Sequence, residues 1–225
     1  MAELFFNPQA DLGIRNGDLT MKRFLIPIAA CGVLIALASF PATAQKPQQP
    51  PTPQKPPMSS DGQSPAQKYF SDIELTNQDG QKMRLYSDLL KGRVVVIHSF
   101  FSTCQTACLP LIQNMSKLQD MLGDKVGKDV YLISISVDPT MDTPQRLKDF
   151  ATKKGAKPGW FFLSGEKANV DFALKKFGQY VEQKQDHQTI MIIGNEPTGL
   201  WKKAFGLAKP EELFAVVESV LNDKL

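Results

Sequence analysis

Two cysteines four residues apart, Cys104 and Cys108, and a distant histidine, His187, are the side chains of this chain best equipped for chemistry. Two thiols at that spacing can close a disulfide. They can also chelate one soft metal, with Cu(I), zinc or an iron–sulfur cluster as the candidates for thiolate ligands. Four thiolates are not to be had in one chain, because only three cysteines exist and Cys31 lies in an N-terminal apolar run. With one imidazole added the donor set is Cys₂His. That set suits copper in either oxidation state and leaves a position open for Cu(II). Residues alone also admit two cysteines that merely pack in a core, and a His187 that is an ordinary surface-loop histidine.

The elements around these residues are those of an alternating α/β domain. Arg93–Phe100 is rich in Val and Ile, as a buried parallel strand should be. The cysteines follow it directly, ahead of a helix from Leu109 to about Leu122 with apolar Leu111, Ile112, Met115, Leu118, Met121 and Leu122. A strand-to-helix junction offers backbone N–H groups and the positive end of a helix dipole, so the expectation is a lowered thiol pKa. Val130–Val137 reads as a second buried strand. Asp142 reads as the cap of a helix that has Pro144 in its first turn and runs to about Lys154. Trp160–Leu163, Thr189–Ile193 and Leu200–Ala204 read as strands. Asn169–Phe177, closed by Gly178, and Pro210–Leu221 read as helices. Upstream, Asp72–Leu75 and Lys82–Leu85 flank Asn77-Gln78-Asp79-Gly80, a hairpin signal. The order predicts a mixed sheet with helices on both faces and an N-terminal β-hairpin, compatible with a thioredoxin-like domain. His187 falls just before the strand Thr189–Ile193, and loops at one edge of such a sheet converge from distant sequence.

The rest of the chain reads as delivery apparatus. The chain has 225 residues, 42% hydrophobic and 22% charged, which excludes a wholly disordered protein. A net charge of +3 is too balanced for a nucleic-acid binder. Residues 1–20 carry no apolar run and read as a mis-called extension. Met21-Lys22-Arg23, an apolar stretch over 24–40 and Ala42-Thr43-Ala44 form a signal peptide over 21–44, with an uncleaved membrane tether through 24–40 as the alternative. Ile28-Ala29-Ala30-Cys31 resembles a lipoprotein box, but the apolar run continues past it. Residues 45–65 hold seven Pro and five Gln and read as an extended linker. The folded domain is then 66–225. Each version places it in the periplasm or on the extracytoplasmic face of the inner membrane.

Several other residues read as structural. His98, inside a strand, reads as a packed or hydrogen-bonded core histidine. Asp138 and Asp142 read as structural carboxylates, Met115 and Met121 as core filler, and Trp160 and Trp201 as packing.

Three segments in order carry a resemblance: Phe101-Ser102-Thr103-Cys104-Gln105-Thr106-Ala107-Cys108, then Ile135-Ser136-Val137-Asp138-Pro139-Thr140-Met141-Asp142-Thr143-Pro144, then Asp186-His187 before an apolar strand. Together they resemble the Sco/SenC family of thioredoxin-fold copper chaperones, across about 70–205. The resemblance implies copper held by Cys104, Cys108 and His187. It implies delivery of copper, or of reducing equivalents, to the dinuclear copper site on the copper-bearing subunit of cytochrome c oxidase. Other copper carriers or thiol reductants would be further partners. Family members commonly place Pro after one or both cysteines, whereas here Gln105 and Leu109 stand there. The alternative on the same residues is a thiol–disulfide oxidoreductase cycling a Cys104–Cys108 disulfide. Its usual spacing, however, is one residue shorter, and no proline precedes Thr189. A peroxiredoxin-type peroxidase lacks its Thr-x-x-Cys spacing here.

Overall fold

A computed structural model describes residues 63–104 and 108–224. The expectations for 1–62, extension, signal peptide and most of the linker, lie outside the described residues. Among the described residues no helix is long and apolar enough to cross a membrane.

The chain enters through a short helix, α1 (Pro65–Phe70), capped by Ser64, whose hydroxyl accepts from the Gln67 N–H. Pro65, read above as the last linker residue, is its first residue. Next come β1 (Glu74–Thr76) and β2 (Lys82–Arg84), paired antiparallel as a separate hairpin. Its turn is held by Asn77, whose side-chain oxygen accepts from the N–H groups of Asp79 and Gln81. A wide helical turn, Leu85–Leu90, leads into the main sheet.

That sheet has five strands: β3 (Val94–Phe100), β4 (Val130–Ser136), β5 (Trp160–Leu163), β6 (Ile190–Asn195) and β7 (Leu200–Phe205). Their order is β5-β4-β3-β6-β7, with β3, β4 and β5 parallel and β6 and β7 antiparallel. The helices are α2 (Cys108–Leu122), α3 (Pro144–Lys153), α4 (Lys167–Lys176) and α5 (Pro210–Leu221). The mixed sheet with helices on both faces and the hairpin is thus as expected.

Side-chain alternation along the strands divides the core. Val94, Val96 and Phe100 of β3 join Leu111 and Met115 of α2, Leu147 of α3 and Val217 of α5 on one face. Val95 and Ile97 join Phe70 of α1, Leu89 and Leu174 of α4 on the other. β3 is buried along its whole length, which explains its unbroken apolar run. Met121, expected in the core, is 39% exposed at the end of α2.

The two sheet edges differ. Just past β5, Ser164 exchanges two backbone hydrogen bonds with Thr76. The Gln78 amide also takes the outward groups of the strand: its oxygen accepts from Phe162 N–H at 2.9 Å and its nitrogen donates to Trp160 O at 3.2 Å. Among the described residues β7 pairs with β6 alone.

Candidate metal centre

The parallel strands β3 and β4 deliver their C-terminal ends to one rim of the sheet, and β6 begins at the same rim. That is where loops from distant sequence meet in an open α/β sheet. Cys104 lies in the turn leaving β3, its N–H donating to Phe101 O at 3.1 Å. Cys108 is the first residue of α2. His187 lies in the loop entering β6, after a short turn over Lys184–Asp186.

The structure brings all three together. The two Sγ atoms and an imidazole nitrogen lie within 4.8 Å of one another, and all three residues are buried. Neither cysteine is in a disulfide, so this is the reduced form of the pair. Cys108 Sγ lies 2.7 Å from His187 Nε2.

The other imidazole nitrogen fixes the tautomer. His187 Nδ1 sits 3.0 Å from Lys184 O, and a carbonyl only accepts, so Nδ1 carries the proton. Nε2 then turns its lone pair toward the sulfurs, as a metal-binding imidazole must. The Phe101 ring meets His187 edge-on at 5.2 Å. Lys184, which supplies the orienting carbonyl, is itself anchored by its ammonium on Asp138 at 2.6 Å. Asp138 is therefore structural as read, and its task is to hold the histidine loop.

Asp142 corrects an expectation. The cap of α3 is Thr143, whose hydroxyl accepts from Arg146 N–H; Asp142 lies one residue outside the helix. Pro144 at the first helical position should have assigned the cap to its predecessor. Asp142 is instead 1% exposed and ties the cysteine turn to β4. It accepts from Ser102 N–H and Ser102 Oγ–H on one side and from Ser136 Oγ–H at 2.6 Å on the other. Ser102, two residues before Cys104, had no sequence signal of its own.

The lowered thiol pKa expected at the strand–helix junction does not hold for Cys108. Burial pushes its thiol up to about 12, and the hydrogen bond with Cys104 adds to that. In a site this dry, loss of hydration outweighs the helix terminus. Burial likewise holds the His187 imidazolium below its usual range. With the Cys108 thiol and the His187 imidazole held neutral, the site is poised to exchange a proton for a soft cation.

His98 stays out of the cluster, buried in β3 as expected. Its Nδ1 faces Ser99 O at 3.1 Å and its Nε2 faces Ser134 Oγ at 2.7 Å; Trp160 Nε1–H also donates to Ser134 Oγ.

Fold and site together define a thioredoxin-like domain with a buried Cys₂His donor set at the C-terminal edge of its parallel strands. The family model described as SCO1/SenC matches residues 61–222, and the chain belongs to that family. It is 36% identical over 118 residues to an SCO1 protein homolog of Bacillus subtilis, covering 51% of this chain and 60% of that protein. It is 27% identical over 114 residues to a putative copper-binding protein of Stutzerimonas stutzeri, covering 51% of this chain and 54% of that one. The chain thus spans little more than half the length of these curated relatives. A solved structure of BsSco, described as a member of the Sco family of cytochrome c oxidase assembly proteins with a disulfide switch, superposes with a TM-score of 0.58 at 30% identity. It covers 69% of this chain and 94% of that one.

Proposed function

We propose that this protein is a copper-binding metallochaperone that serves assembly of the dinuclear copper centre of cytochrome c oxidase. Copper is its cargo, taken by Cys104, Cys108 and His187 and passed to the copper-bearing subunit on the extracytoplasmic side. The observation that carries the reading is the convergence of two thiols and an imidazole lone pair within 4.8 Å. Two soft sulfurs with one nitrogen favour copper over hard cations. The names of the relatives support it: one is called copper-binding and another belongs to a family of oxidase assembly proteins. Three protein ligands leave room for a recipient's donor, so transfer can proceed by ligand exchange.

A second reading uses the same thiols for disulfide exchange with oxidised cysteines of the oxidase subunit. The hydrogen-bonded contact of Cys108 with Cys104 favours it, and formation of a Cys104–Cys108 disulfide would gate copper binding. The histidine separates the two. The test is an anaerobic copper titration of the reduced full chain in a Cys31→Ser background, beside Cys104→Ser, Cys108→Ser and His187→Ala. The chaperone reading expects one tight equivalent, lost or severely weakened in all three. Weak binding indifferent to His187, with a readily cycled disulfide, would replace it with the oxidoreductase.

A further inference from the structure

A groove of about 610 Å³ opens on the face of the sheet that carries α1 and α4. Its floor is aromatic. The Phe70 ring stacks on Phe177 at 5.3 Å and meets Trp201 at 5.2 Å. The Trp201 ring can lie flat over β6 because the residue paired with it is Gly194, where a Cβ would stand 2.2 Å from the ring.

Its rim is basic. Lys175 and Lys176 close the last turn of α4, and Lys203 reaches across from β7 toward Gly178. The first two lie over the rings of Tyr180 and Tyr69, at 4.5 and 4.3 Å. Among the described residues none of the three lysines is ion-paired, whereas five other cations of the domain are. Among the described residues no carboxylate lines the groove. Lysines near a helix C-terminus complement its dipole, and Lys on an edge strand discourages unwanted pairing. Neither role accounts for the aromatic floor between them.

The strand that borders the groove has an open edge. Among the described residues β7 pairs only with β6. On one side of β7 the order is Trp201, Lys203, Phe205, and Phe205 is 59% exposed. This is an apolar–basic–apolar stripe beside an edge that no other described strand covers. Phe205 pairs with Ile190, three residues past His187, so the stripe runs toward the metal-site rim.

We propose that this groove and the free edge of β7 receive an extended acidic segment of a partner protein. The segment adds a strand to β7, sets an apolar side chain on the Phe70–Trp201 floor, and places carboxylates against Lys175, Lys176 and Lys203. Strand addition supplies affinity through the backbone, and the alternate side chains supply selectivity. The concave floor favours a peptide over a flat bilayer, and the rim charge sets its sign. The proposal does not draw on the copper reading, and its readouts involve no metal.

The test is titration of the full-length protein with acetyl-Glu-Val-Glu-Phe-Glu-Val-Glu-amide. The counterparts carry Gln or Lys in place of Glu. Trp201 fluorescence is the readout, since Trp160 is 1% exposed and serves as a constant background, and amide shifts map the site. The expected result is saturable binding of the acidic peptide alone, with shifts confined to β7, α1 and the end of α4. Lys175→Glu with Lys203→Glu should weaken binding about tenfold or more. Both lysines are exposed, and the peptide series on the unaltered protein stands even if that variant folds poorly. Equal response to all three peptides, or shifts elsewhere, would overturn the proposal. So would capture by phosphatidylglycerol–phosphatidylcholine vesicles through the same lysines without peptide binding, which would make the surface a membrane contact.

Discussion

His98 should make the domain sensitive to mild acid. Full burial lowers its pKa to about 4, with a smaller push from His187, against a counter-effect from its hydrogen bond to Ser99 O. The geometry agrees. Nδ1 carries the proton toward Ser99 O, so Nε2 must accept from the Ser134 hydroxyl, which in turn accepts from Trp160 Nε1–H. A second imidazole proton would leave the Ser134 hydroxyl facing two donors with no acceptor for its own hydrogen. The unfolded chain binds the proton near pH 6.5 and the folded one only near 4. The unfolded state therefore holds more protons between those values, and stability must fall as pH falls through that window. It is complete above the unfolded value. The full difference is about 3 kcal/mol, of which about 2 kcal/mol is spent by pH ~5.2, before most carboxylates titrate. Urea unfolding of the reduced, metal-free full chain at pH values from about 7.5 to about 5 measures it. His98→Gln keeps an acceptor for Ser134 and removes the titration. Its stability should be flatter with pH than that of the parent by roughly 1 kcal/mol per unit. Parallel pH dependences in the two proteins would refute the reasoning.

Two further substitutions test the supports of the sites. Asp142→Asn puts an amide nitrogen where Ser102 and Ser136 now donate, and should cost about 1–3 kcal/mol in urea unfolding. With every ligand intact, it should weaken copper binding less than His187→Ala does; unchanged stability would show that the turn holds itself. Gly194→Ala drives a methyl group into the Trp201 ring. It should cost about 1–3 kcal/mol and shift Trp201 emission, whereas a silent variant would mean the ring has room to move aside.

The elements were legible because their signals are local. The Val/Ile run of β3, Pro210 at the start of α5 and Gly178 after α4 each act within a few residues, and each stands where expected. The site was legible in part for the same reason, since Cys104 and Cys108 share one junction. His187 was a different matter. Its sequence neighbours carry no metal signal, and only the resemblance and the convergence of loops at the sheet rim pointed to it. What escaped was set by burial and by pairings across the fold. Cys108 lies at a helix start that favours a thiolate, but its surroundings hold it protonated. Asp142 has the composition of a cap, yet its partners are forty and six residues away. Met121 has the period of a core residue at a helix end the core does not reach. The Phe70–Trp201 groove joins residues more than a hundred positions apart, which no window along the chain can see.

The Gln78 clasp on β5 gives the sheet a direction of growth. With that edge occupied by the chain's own amide and by Thr76, the edge of the main sheet left open among the described residues is β7. A sheet with one open edge cannot propagate: two copies joined β7 to β7 have used the open edge of each main sheet and form a closed twofold pair. Pairing through the main sheet therefore ends at dimers rather than fibres, and an incoming partner competes with self-pairing for that berth.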